Sequence, residues 1–116
     1  MRKVVYYKTL SGESPVDSFL KSLSSKQFEK VVWVLKIIRE LPLVSRQYFK
    51  KLTGTNDIWE VRIDSGNDTF RLLGFLQKGN FVILTNAFAK KTEKTPSNEI
   101  RIAEKRKKDY ESRRNG

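Results

Sequence analysis

The stretch IWEVRIDSGNDTFRLLGFLQKGNFVILTNAF, residues 58–88, decides the fold. Its first part alternates: Trp59, Val61 and Ile63 point one way and Glu60, Arg62 and Asp64 the other, the period of a half-buried strand. Asp64-Ser65-Gly66-Asn67-Asp68 reads as a hairpin loop, TFRLLGFLQ as a second strand, Lys78-Gly79-Asn80 as a tighter turn, and FVILTNAF as a third strand, apolar on both faces. The three form an antiparallel meander. The third is expected to be central, because both its faces read as buried.

Upstream of the meander, KVVYYK (residues 3–8) is a β-branched and aromatic run that predicts a strand ending before Ser11-Gly12. Ser14, Pro15 and Asp17 then carry the marks of a helix start: a capping hydroxyl, proline in the first turn and a carboxylate near the positive end of the dipole. Val16, Phe19, Leu20 and Leu23 repeat at helical spacing behind them. Ser24 and Gln27 make a capping box for a second helix, in which Phe28, Val31, Val32, Leu35 and Ile38 form one apolar stripe and which Pro42 closes. So short a connection predicts an antiparallel helical hairpin. Residues 43–56 read as irregular and cationic, ending in the turn Thr53-Gly54-Thr55-Asn56.

Downstream, Thr95 and Pro96 open a basic helix over residues 97–114 with only a thin apolar edge at Ile100, Ala103 and Tyr110. That helix is expected to be exposed. With no repeat or linker, residues 1–116 read as one α+β domain: N-terminal strand, two-helix hairpin, meander and C-terminal helix.

Composition narrows the chemistry. The 116 residues suit one modest core, and 38% apolar with 11% aromatic content can build it, so the 32% charged content belongs on the surface. Lys and Arg number 24 against 13 Asp and Glu, a net charge of +11 that makes a polyanion the natural partner: nucleic acid, an anionic membrane or an acidic protein. Cysteine and histidine are absent, which removes disulfides, thiolate nucleophiles and the usual transition-metal ligands. No cofactor and no metal site is expected. MRKVVYYKTL lacks the apolar stretch of a signal peptide and no segment approaches a spanning helix, so a cytoplasmic location without membrane association is expected.

Arg62 and Arg71 fall on neighbouring strands, and Lys90 and Lys91 follow the third strand. Guanidinium groups hold phosphate bidentately and stay charged at every relevant pH, so the cluster suits phosphodiester binding and stabilisation of a phosphorane-like transition state. The alternative is a solvated face with Arg62 paired to Glu60 or Asp64. Lys50, Lys51, Lys94 and Tyr110 are the candidates for further RNA contacts. Trp59 suits either base stacking or the core, and its alternation with Val61 and Ile63 favours the core. Tyr48 and Tyr110 suit stacking, proton donation or simple cover of a charged helix. Asp64 and Asp68 flank a glycine turn, which accounts for them without a metal. KRKKDYESRR suits either a nucleic-acid tail or a soluble helix.

WEVRI, FRLLGF and VILTNAFAKKTEKTPSNEIRIAEKRKKDY together resemble the RelE/HigB superfamily of toxins in its phage-associated, HigB-like branch. The most specific part runs from Phe88-Ala89-Lys90-Lys91-Thr92-Glu93-Lys94-Thr95-Pro96 into Glu99-Ile100 and Ala103. The resemblance implies a RelE-like fold and a ribosome-dependent, metal-independent endoribonuclease that cuts messenger RNA. It also implies restraint by a cognate antitoxin of the helix-turn-helix, HigA-like kind. On the same grounds Arg62 and Arg71 look like the strand-borne cations of the site, and Lys90 or Lys91 like the basic residue after the last strand. Two departures stand out: Glu60 where the RelE archetype has lysine, and Asn86 where this branch often has histidine. An obvious general base is therefore missing, and a lysine crowded by other cations, or a tyrosine in a cationic pocket, is the substitute. The competing readings are a ParE-like, gyrase-inhibiting toxin and a catalytically inactive binding module.

Overall fold

The computed structural model describes residues 1–78 and 80–115. In chain order the elements are β1 (Lys3–Tyr6), α1 (Pro15–Lys21), α2 (Ser25–Glu40), β2 (Phe49–Lys51), β3 (Trp59–Ser65), β4 (Asp68–Gln77), β5 (Phe81–Ala89) and α3 (Ser97–Asn115). The five strands make one mixed sheet in the order β1-β5-β4-β3-β2. The meander β3-β4-β5 is antiparallel, as its turn chemistry predicts, whereas β1 joins parallel to β5, with Lys3 opposite Phe81 and Tyr6 opposite Leu84. The architecture is α+β, compatible with a RelE-like fold.

The helix starts follow their local chemistry. Ser14 Oγ accepts the Asp17 amide at 3.1 Å, and Ser24 exchanges both bonds of its capping box with Gln27. Both helices cover one face of the sheet, α1 lying on β5 and α2 on β3. There Val16, Leu20, Val31, Val34, Leu35 and Ile38 pack with Val61, Ile63, Leu72 and Leu84 in the main core. The opposite face belongs to α3, where Ala103 is buried against Ile58 and Leu73, and Tyr110 packs on a second cluster of Tyr7, Phe75 and Ile83.

Several expectations are corrected. The buried stripe of α2 runs through Val31, Val34, Leu35 and Ile38, while Phe28 and Val32 are 43% and 46% exposed. Phe28 stands in the first turn of the helix, and Val32 lies outside the buried stripe. The segment expected to be irregular contains β2, which pairs antiparallel with β3. β5 is an interior strand, with β1 on its far side, but the middle strand of the five is β4. Thr95 does not cap α3: its hydroxyl is donated to Glu60, and the Glu99 and Ile100 amides in the first turn of the helix donate to Pro96 O. Far from being exposed, α3 is docked, with Lys107 buried and donating to Asn56 O at 2.8 Å. Of the predicted Lys78-Gly79-Asn80 turn, Gly79 lies outside the described residues.

One irregularity shapes the α3 face. Leu73 pairs with Asn86 but Gly74 with Leu84, so Thr85 is an extra residue in β5. Gly74 is required there, since a Cβ on it would lie 2.1 Å from the Ile83 carbonyl oxygen.

Candidate functional site

Arg62 and Arg71 are direct partners across the β3–β4 ladder, and their alternation places both on the face covered by α3. Like charges in direct opposition repel, so the pair needs an anion. Glu60 supplies it. Its Oε1 lies 3.6 Å from Nε of each arginine, and Thr95 donates its hydroxyl to Oε2. Glu60 and Arg71 are buried at 3% and 4% exposure, because the strand face that the alternation assigned to solvent lies under α3 and the segment leading into it. Arg71 Nη1 donates to Phe70 O at 2.9 Å and lies 3.6 Å from Asp64 Oδ1. Its Nε is buried and, with the Glu60 carboxylate at 3.6 Å, makes no hydrogen bond among the described residues.

Lys90 emerges where β5 ends, and its amide donates to Thr69 O at 2.8 Å, which fixes it beside the start of β4. Half burial and then the nearby Arg71 hold its ammonium below the ordinary lysine range, against an opposing pull from Glu60. Burial likewise lowers Arg71, and Glu60 pulls it back toward its usual value.

Above these groups opens a cleft of about 450 Å³, lined by Arg46, Lys50, Arg62, Lys90 and Lys94 with only Glu60 and Glu93 as acids. Of the sequence candidates, Lys50, Arg62, Lys90 and Lys94 are thus brought together at its wall, and Arg71 is buried beside Glu60. Lys91 is exposed and does not line it. Lys51 pairs with Asp57 at 2.9 Å. Tyr110 lies toward the other end of α3, edge-on to Phe75 at 5.6 Å, with its hydroxyl 3.4 Å from Gln77 Oε1. Trp59 stacks on Phe49 at 4.7 Å on the core side, and Tyr48 meets Trp33 edge-on. Asp68 accepts from Gln27 Nε2 at 2.8 Å. The member that sequence reasoning missed is Arg46, whose only signal was its place in the cationic segment before β2.

Asn86, the departure from histidine, serves the frame of the site. Its Nδ2 donates to Glu99 Oε1 at 2.9 Å and lies 3.2 Å from Glu99 O, while its Oδ1 accepts from the Thr85 hydroxyl at 2.6 Å. Together with Thr95 on Glu60, this bond ties the entry of α3 to the sheet. Among the described residues no group of three or more Asp or Glu side chains is placed to hold a metal ion. The site offers cations that can hold a phosphodiester and one amine, that of Lys90, whose pKa is lowered.

A family model described as phage derived protein Gp49-like (DUF891) matches residues 18–108 of the chain. No curated protein matches it.

Proposed function

Because the chain belongs to the Gp49-like family, a phage-derived, toxin-like family of the RelE/HigB-like clan, we propose that it is the toxin of a type II toxin–antitoxin pair and cuts messenger RNA on the ribosome. RelE-type toxins are generally nucleases. The observation that carries the reading is Lys90, with its lowered pKa, on the wall of an open cleft of cations beside Arg62 and Arg71.

In the proposed reaction Arg62, Lys50, Lys94 and Arg46 bind the backbone, and Arg62 with Arg71 offsets the charge that develops on the phosphate. The neutral amine of Lys90 takes the proton of a ribose 2′-hydroxyl. That oxygen forms a bond to the adjacent phosphorus as the bond to the 5′-oxygen breaks, and the leaving oxygen takes a proton from solvent. The products are a 2′,3′-cyclic phosphate and a 5′-hydroxyl. The partners in this reading are ribosome-bound mRNA and an antitoxin, and the working location is the cytoplasm. No helix among the described residues is long and apolar enough to cross a membrane.

Inducible expression of the wild type beside an Arg62→Ala/Lys90→Ala variant, with growth followed and transcript ends mapped, tests it. The expected result is growth arrest with new cuts inside translated frames, both absent in the variant. Arrest with intact transcripts would move the assignment to a gyrase-inhibiting toxin, and soluble protein without arrest to an inactive binding module.

A further inference from the structure

A cavity larger than the cationic cleft lies away from it, in a groove between α3 and the loop that follows β1. It measures about 600 Å³ and shares no lining residue with the cleft. From α3 it takes Ile102, Lys105, Arg106 and Asp109, successive positions of one helix face, and opposite them stand Tyr7 and the Thr9–Ser11 loop.

Its charges do not cancel. The Asp109 carboxylate is committed internally, accepting the Tyr7 hydroxyl at 2.5 Å and Arg113 Nη2 at 2.6 Å. Lys105 is exposed and Arg106 spends Nη1 on Thr85 O at 2.8 Å; neither meets a carboxylate among the described residues. The groove thus presents positive charge beside an apolar lining, and on its rim Leu10 is 84% exposed. The loop carrying Leu10 is braced: Thr9 N–H bonds Glu13 O at 2.8 Å, Gly12 N–H bonds Thr9 O at 2.9 Å, and the Glu13 amide reaches the Thr9 hydroxyl at 3.2 Å. A preformed wall lowers the ordering cost of whatever binds there.

We infer that this groove docks an acidic segment of the partner protein, with an apolar side chain seated against Leu10 and Ile102 and carboxylates meeting Lys105 and Arg106. That the partner is an antitoxin rests on the toxin reading; the chemistry of the segment does not. A nucleic acid fits worse. The Tyr7 ring is buried, and the guanidinium groups of Arg106 and Arg113 lie over it at 5.8 and 5.1 Å, so the one aromatic of the groove is closed to base stacking.

Fluorescence anisotropy on the full chain tests the assignment with three labelled probes: a short Glu/Asp peptide bearing leucines, the same peptide with serine for leucine, and a single-stranded oligonucleotide. The leucine peptide is expected to bind, to weaken by about tenfold in Lys105→Glu and in Leu10→Asp, and to be unaffected by Arg62→Ala. Both groove substitutions fall on exposed side chains, so folding is kept. Equal binding of the serine peptide would reduce the groove to a nonspecific basic surface, and oligonucleotide binding lost only in the groove variants would assign it to nucleic acid. Either result, or peptide affinity indifferent to both substitutions, overturns the inference. Leu10→Asp is expected to arrest growth as the wild type does, so a failed nuclease assay and a failed docking assay are separate outcomes.

Discussion

Arg62 and Arg71 face each other across two strands with a single carboxylate oxygen, that of Glu60, 3.6 Å from the Nε of both. The chain thereby carries its own anion at the base of the cleft. Replacing it, Glu60→Gln, leaves Arg62 without its carboxylate and Arg71 with Asp64 alone, and should cost about 1–3 kcal/mol in urea unfolding. Affinity for a single-stranded oligonucleotide should rise, with the salt slope steeper by about one. Unchanged stability and unchanged binding would mean that Glu60 does not neutralise the pair.

The two lysines after β5 should separate in kinetics. Lys90→Met is expected to lower the cleavage rate by about 10²–10⁴-fold, the usual share of a general base, whereas exposed Lys91→Met should stay within a few-fold of wild type. The wild-type rate should climb with pH and level off below the ordinary lysine range, since the neutral amine is the active form. A flat wild-type profile, or a rising limb that survives in Lys90→Met, would remove Lys90 from the proton transfer.

The same shift has a sign in stability. The folded Lys90 holds its proton less tightly than the unfolded chain does, so a penalty is present below its folded pKa and disappears as pH rises toward the unfolded value of 10.5. Wild-type stability measured against Lys90→Met should therefore increase with pH through that window. A constant difference would show that the amine is not perturbed.

Asn86→Ala removes the donor that holds Glu99 and the acceptor of the Thr85 hydroxyl. A loss of about 1–3 kcal/mol is expected, with hydrogen exchange accelerated first at the start of α3. Uniform acceleration across the sheet would contradict a local tether.

Gly74→Ala drives a methyl group into the Ile83 carbonyl, which lies on backbone and cannot rotate away. Destabilisation of about 2–3 kcal/mol or failure to accumulate folded protein is expected, read as a fall in Tm. An unaltered Tm would show that the extra residue at Thr85 can be accommodated without glycine.

The sequence disclosed most where the signal was local. The caps at Ser14 and Ser24 were legible because each is made by residues three positions apart, and the meander because its alternation and turns lie in one continuous stretch. β2 was hidden because it is a three-residue edge strand with two lysines among its residues, Phe49, Lys50 and Lys51. The docking of α3 was hidden for a different reason. Its own apolar edge is thin, and the surface that buries Ala103 is supplied by Ile58 and Leu73 from other elements. The same cover explains why Glu60, on a face that reads as solvated, is buried. Charge marks Arg62, Lys90, Lys50 and Lys94 in the sequence, but Lys51 and Tyr110 are not separable from them by charge or aromaticity alone, because their partners, Asp57 and Phe75, are set by the fold.

The parallel pairing of β1 with β5 bears on the order in which the molecule can be made. Synthesis produces β1 first, yet its sheet neighbour, Phe81 to Leu84, is among the later segments to emerge, and Lys90 and α3 follow later still. Contacts so distant along the chain form only after the loop between them can close. A half-translated polypeptide accordingly holds neither a closed sheet nor the cleft that α3 completes, and the cationic wall assembles only as the last third of the chain becomes free.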